Sequence, residues 1–212
     1  MAETETTLPS DAELRILEAQ LERMRGMLGG YSMLFFSHMR VWSLATLALL
    51  VATRWEPLAA GVVIVPFLVP FVFLEASYLF YYTVFARRHA AFLERTINAR
   101  LGRPVLHAHA IEAAYFYDPA AAKISALSLA RPLGHMSAMT LGYSAGAGIL
   151  WLAGLLLTAE WAAAHAGGLV DLVIPGALAW TALIVLYLLW TWLGRGDERR
   201  LEDALRRAYP ER

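Results

Sequence analysis

The chain has 212 residues, of which 58% are hydrophobic and 17% charged, with a formal net charge of zero and no cysteine. Soluble domains are about one-quarter charged and less than half apolar, so this balance points to a membrane protein. Zero net charge argues against a nucleic-acid partner, and the missing cysteines exclude disulfides, thiolate catalysis and cysteine metal sites.

The opening "MAETETTLPSD" is acidic and polar, unlike the basic start of a cleavable secretory signal, so the first apolar block is expected to be kept as a span. Ser10-Asp11 reads as a helix start, with acidic residues in the first turn. Leu14, Leu17, Leu21, Met24 and Leu28 then recur at spacings of 3, 4, 3 and 4, a heptad seam that Gly29-Gly30 is expected to end. This seam has two readings: a short coiled coil with copies of itself, or packing on the middle segment of its own chain.

Four apolar blocks follow: Met33–Thr53, Leu58–Phe85, Met136–Ala159 and Leu169–Leu193. Each is long enough for a hydrocarbon core of roughly 30 Å, which needs about 20 helical residues. The predicted fold is an all-α membrane protein, a four-transmembrane-helix bundle with cytosolic amphipathic helices. Its segments are a polar N-terminal tail and heptad helix (1–32), a first transmembrane hairpin (33–86), a middle helical segment (87–135), a second hairpin (136–193) and a C-terminal helix (194–212). Trp42, Trp55, Trp151, Trp161, Trp190 and Trp192 fall mostly near span ends, as interfacial aromatics do.

Of the 18 basic residues, 17 are Arg and one is Lys123. They gather before the first span, between spans two and three, and after the fourth, while the two short hairpin loops hold only Arg54. Because basic residues stay on the cytoplasmic side, the expectation is a multi-pass protein of the plasma (inner) membrane with both termini cytosolic. Each hairpin leads into an Arg-rich stretch, "ARRHAAFLERTINARLG" or "GRGDERRLEDALRRAY", in which Leu93-Glu94 and Leu201-Glu202 share a register. Either a parallel internal repeat or two similar juxtamembrane helices accounts for this, and both stretches suit anionic lipid headgroups. The middle segment is expected to break at Gly102-Arg103-Pro104 and at Asp118-Pro119. At under 50 residues it is too small for its own core, so Tyr115, Phe116 and Tyr117 are candidate docking residues.

Glu75 interrupts the run Leu58–Phe85, which otherwise carries no charge. A carboxylate in hydrocarbon costs about 3 kcal/mol on insertion scales and tends to face water or a partner. His38 and Arg40 near the start of span one, His135, Ser137, Thr140, Tyr143 and Ser144 near the start of span three, and Tyr187 and Thr191 late in span four share that inner half. Arg40 and Glu75 lie at comparable depth, which allows an ion pair. The group Glu75, Arg40, His38, His135, Tyr143 and Ser144 reads as a cytosol-facing vestibule or pocket; the plainer readings are a pair fixing helix register, or snorkelling. Pro66 and Pro70 are expected to free backbone carbonyls in span two.

"GYSAG" matches the nucleophile-elbow pattern G-x-S-x-G, which needs a strand–turn–helix around Ser144. Inside an apolar helix, Gly142 and Gly146 read instead as a close-packing G-x-x-x-G face, and an intramembrane serine hydrolase is disfavoured. "HAHAIE" offers His107, His109 and Glu112, too few well-placed ligands for a metal site; no cofactor is expected. The function read from these features is a homo-oligomeric channel or small-solute pathway around Glu75. The alternative is a non-conducting scaffold whose juxtamembrane helices recruit a partner.

Overall fold

The structure is a computed structural model that describes residues 11–116, 123–124, 127–128, 135–165, 167–194 and 196–209. Six helices appear among them: α1 (Asp11–Ala52), α2 (Val65–Arg100), α3 (Ala108–Phe116), α4 (His135–His165), α5 (Val170–Gly194) and α6 (Gly196–Ala208). A 3-10 segment, Glu56–Ile64, leads into α2, and a shorter one, Gly167–Leu169, joins α4 to α5. One two-residue antiparallel ladder, β1 (Lys123–Ile124) with β2 (Leu127–Ser128), pairs Lys123 with Ser128. Four helical stretches are long and apolar enough to cross a membrane.

Helix α1 does not stop at Gly29-Gly30; it runs 42 residues without a break. A glycine inside a helix costs about 1 kcal/mol, which the packing on either side offsets. Before the glycines, Leu17, Leu21 and Met24 pack with Ala90, Leu93 and Ile97 of α2. After them, Tyr31 stacks on Tyr82 with ring centroids 4.8 Å apart, and Phe35 meets Phe80 at 6.0 Å. The heptad seam is therefore occupied by its own chain. Further, the spacing of 3 and 4 continues through Leu28, Tyr31, Phe35 and His38, so one seam serves both the polar end and the span. The contacts Glu13–Arg100, Tyr31–Tyr82, Phe35–Phe80 and His38–Glu75 pair residues whose numbers total 113 to 115. That constancy marks a straight antiparallel hairpin in a single register. At 1.5 Å per residue α1 is about 63 Å long, roughly twice a hydrocarbon core, so about half of the hairpin projects beyond it.

The expected break at Gly102 is present: α2 ends at Arg100, and Gly102 takes a positive φ of 64°. Asn98 then folds the following loop back on α2. Its Oδ1 accepts from the Val105 and Leu106 amides, and its Nδ2 donates to the Leu106 carbonyl at 2.7 Å. Asp118-Pro119, Tyr117 and the side chains of Tyr115 and Phe116 lie outside the described residues.

At the other end, Pro66 occupies the first turn of α2, where no helical hydrogen bond needs its missing N–H; only Pro70 lies inside the helix. The 3-10 start is held by neighbours. Thr158, fully buried, donates to the Val62 carbonyl at 3.0 Å, and the Trp180 indole donates to the Phe67 carbonyl at 3.1 Å. Trp151 donates to Thr181 Oγ1, tying α4 to α5. Gly154 of α4 sits hard against α2: a Cβ there would come within 2.8 Å of Val65 Cβ and nearer still to its Cγ1. A core of Leu50, Val62, Val65 and Val69, flanked by Leu150 and Trp161, fills this end.

Candidate functional site: the His38–Glu75 pair

Glu75 meets His38, not Arg40. Glu75 Oε2 lies 3.6 Å from His38 Nε2, joining α1 to α2 across their seam. Helical geometry explains the choice. His38 falls on the seam with Tyr31 and Phe35, whereas Arg40, two residues on, is rotated about 200°. Arg40 is exposed and its Nε donates to the Phe36 carbonyl of its own helix at 3.2 Å. Side chains lean toward a helix N-terminus, so the guanidinium reaches toward the polar end, as a snorkelling arginine does.

The His38 side chain is 15% exposed while that of Glu75 is 44% exposed. One face of the carboxylate thus meets the histidine and the other opens from the flank of the bundle. The Trp42 ring borders His38 edge-on at 6.2 Å. Seven residues nearer the polar end, about 10 Å along the axis, stands a tyrosine cluster. Tyr31 and Tyr82 stack, and the Tyr78 and Tyr82 hydroxyls lie 3.0 Å apart.

Of the remaining expected residues, Tyr143 and Ser144 have described side chains. Tyr143 of α4 reaches α1 through Phe36, ring centroids 6.3 Å apart. Ser144 is exposed on an unbroken helix, which lacks the strand and sharp turn that a nucleophile elbow requires. The side chains of His135, Ser137 and Thr140 lie outside the described residues. Apart from the backbone of their own turns and their chain neighbours, no described atom comes within 4 Å of where a Cβ would stand at Gly142 or Gly146. Within one copy of the chain, close packing belongs to Gly154 instead.

A second polar centre, absent from the sequence reading, organises the far end. Glu94 is 5% exposed. Its carboxylate accepts from Arg25 Nη2 at 3.0 Å and from the His109 amide at 3.1 and 3.2 Å, capping the first turn of α3. Arg87–Glu112 at 3.4 Å and the Arg100–Glu13 pair add further ties. Helix α6 crosses the hairpin here: Arg88 pairs with Glu202 at 2.7 Å, and Tyr209 donates to Gln20 Oε1 at 2.6 Å. The His89 ring lies against Tyr209, its Nδ1 buried with no hydrogen-bond partner among the described residues. Burial pushes the His89 pKa down and that of Tyr209 up. His109 is also lowered, first by burial and then by Arg87. No three His, Asp or Glu side chains gather closely enough to hold a metal among the described residues. The signal for Glu94 was its place in the seam, one residue after Leu93 and opposite Arg25. No family model matches the chain, and neither a curated protein nor a solved structure matches it.

Proposed function

We propose that the protein assembles from several copies in the plasma membrane, with both termini cytosolic, into a pathway for small cations or other small solutes. The arginine distribution supports this orientation. Glu75 is the observation that carries the reading. Its carboxylate stands about two helical turns inside the stacked Tyr31–Tyr82 pair, nearly half exposed, with His38 Nε2 at 3.6 Å. Exposure to lipid costs a carboxylate up to about 3 kcal/mol, the value at the centre of a span. Water in a shared interior, bounded by neighbouring copies, removes that cost, and a ring of such carboxylates favours cations.

Planar-bilayer recording of purified protein tests the reading. Wild type is expected to conduct, and Glu75→Gln to lower cation preference. The second reading, a non-conducting scaffold, draws support from the polar end, where Glu94, Asn98 and Glu202 staple four helices into a projecting platform. Electrical silence of both wild type and Glu75→Gln, with oligomers intact, would decide for the scaffold.

A further inference from the structure

We propose that the cation taken at Glu75 is a substituted ammonium group, held between the carboxylate and the rings of Phe71 and Tyr78. This rests on the reading of Glu75 as a water-facing residue of a cation pathway, and it names the chemistry of what that residue meets. The observation is a stripe on α2. Phe71, Glu75, Tyr78, Tyr82 and Phe85 follow one another at spacings of 4, 3, 4 and 3. At about 100° per residue they fall within an arc of about 80°, and they run about 21 Å along the helix. Phe71, Tyr78 and Phe85 are 43%, 61% and 36% exposed, and Glu75 shares their flank by rotation. Every other position of the stripe is aromatic, and Glu75 is its single charge.

Lipid chains suit the rings but not the carboxylate. A bare metal ion suits the carboxylate but needs several oxygen ligands, and among the described residues no three His, Asp or Glu side chains gather to supply them. A substituted ammonium ion uses both parts. Its charge is drawn to the negative ring faces, most strongly where water is excluded, and its alkyl groups ask for no hydrogen bonds. Phe71 and Tyr78 stand one turn to either side of Glu75, the spacing at which helical side chains meet, with Cβ atoms about 5–6 Å apart. The Tyr78 ring is already fixed: its hydroxyl lies 3.0 Å from that of Tyr82, which in turn stacks on Tyr31. A ring held in place before the ligand arrives loses less freedom on binding. The face of the carboxylate turned away from His38 is left for the ligand.

Equilibrium dialysis of radiolabelled tetraethylammonium against the full chain in maltoside micelles, with sodium chloride at physiological strength, tests this. Wild type is expected to bind saturably. Glu75→Gln should weaken binding on the order of tenfold through the lost charge, and Tyr78→Leu about fivefold through the lost ring. Tyr78→Phe keeps the ring and should bind as wild type does. Absent wild-type binding overturns the proposal, as does binding that Glu75→Gln leaves unchanged; cross-linking between copies through Phe85→Cys would then hand the stripe to a second copy. Displacement of the probe by phosphatidylcholine, but not by phosphatidylglycerol, upholds the site and places the ammonium group on a lipid; no displacement by either upholds it for a free amine. Planar-bilayer recording separates this inference from the pathway itself. Sodium current without tetraethylammonium binding keeps the pathway and removes the inference, and saturable binding without any current does the reverse.

Discussion

At its polar end the α1–α2 hairpin is fastened by charge: Glu94 is closed off from solvent with Arg25 and the first turn of α3 on its oxygens. At the opposite end the fastening is steric and local. Gly154 lets α4 approach Val65, and Thr158 satisfies a carbonyl of the 3-10 start. The difference follows from the surroundings. Long side chains can bridge helices where water hydrates whatever is left over. In hydrocarbon, small residues that bring backbones together, and short hydroxyls that reach carbonyls, do the same task without burying charge.

Several substitutions break one end and should spare the other. Gly154→Leu is expected to have the largest effect, about 3 kcal/mol of overpacking, read as a lower melting temperature in detergent. Gly154→Ala with Val65→Ala should recover the part of the loss that comes from Val65 Cγ1, while the retained Cβ, 2.8 Å away, keeps the rest; no recovery at all would show that Cγ1 is not the main obstruction. Glu94→Ala removes the α3 cap and leaves Arg25 unpaired. With Arg25 partly in water, the cost is on the order of 2 kcal/mol. Faster hydrogen exchange should then be confined to α3 and its loop; spread into α4 and α5 would mean that the two ends are not separable. Thr158→Val strips the donor from a buried carbonyl and should cost about 1–2 kcal/mol, with no change at α3.

Acidification gives the smallest effect and acts on the polar end. His89 and His109 have folded pKa values below their ordinary one, so the unfolded or undocked state binds protons first. Stability is then lost as pH falls from above the ordinary histidine value toward the depressed one. Exchange at α6 should quicken in that window, and His89→Gln should flatten its share of the response. An unaltered pH profile in that variant would remove His89 as the cause.

The spans and the break at Gly102 were legible because hydropathy and glycine conformation are local. Gly29-Gly30 misled because a double glycine commonly stops a helix, yet the 3-and-4 spacing continued past it to His38. Followed that far, the spacing selects His38 over Arg40 as the partner of Glu75. Gly142 and Gly146 matched a packing motif, but the face that meets α2 is set by rotation. Gly154 lies eight residues beyond Gly146, about 80° around the helix, and only the position of Val65 reveals which face is used. Glu94 was hidden for another reason. Its partners are 69 and 15 residues away, so within its own arginine-rich stretch it resembles an ordinary solvated carboxylate.

Helix α1 passes from Leu17 to Leu50 as one uninterrupted rod, with α2 clasped along most of its length. Such a pair transmits tilt and rotation the way a shaft does, with no hinge in which the motion dissipates. A load applied beside Leu17 is delivered to the level of His38 and Glu75, several nanometres away by the ~1.5 Å rise per residue, without any change of secondary structure.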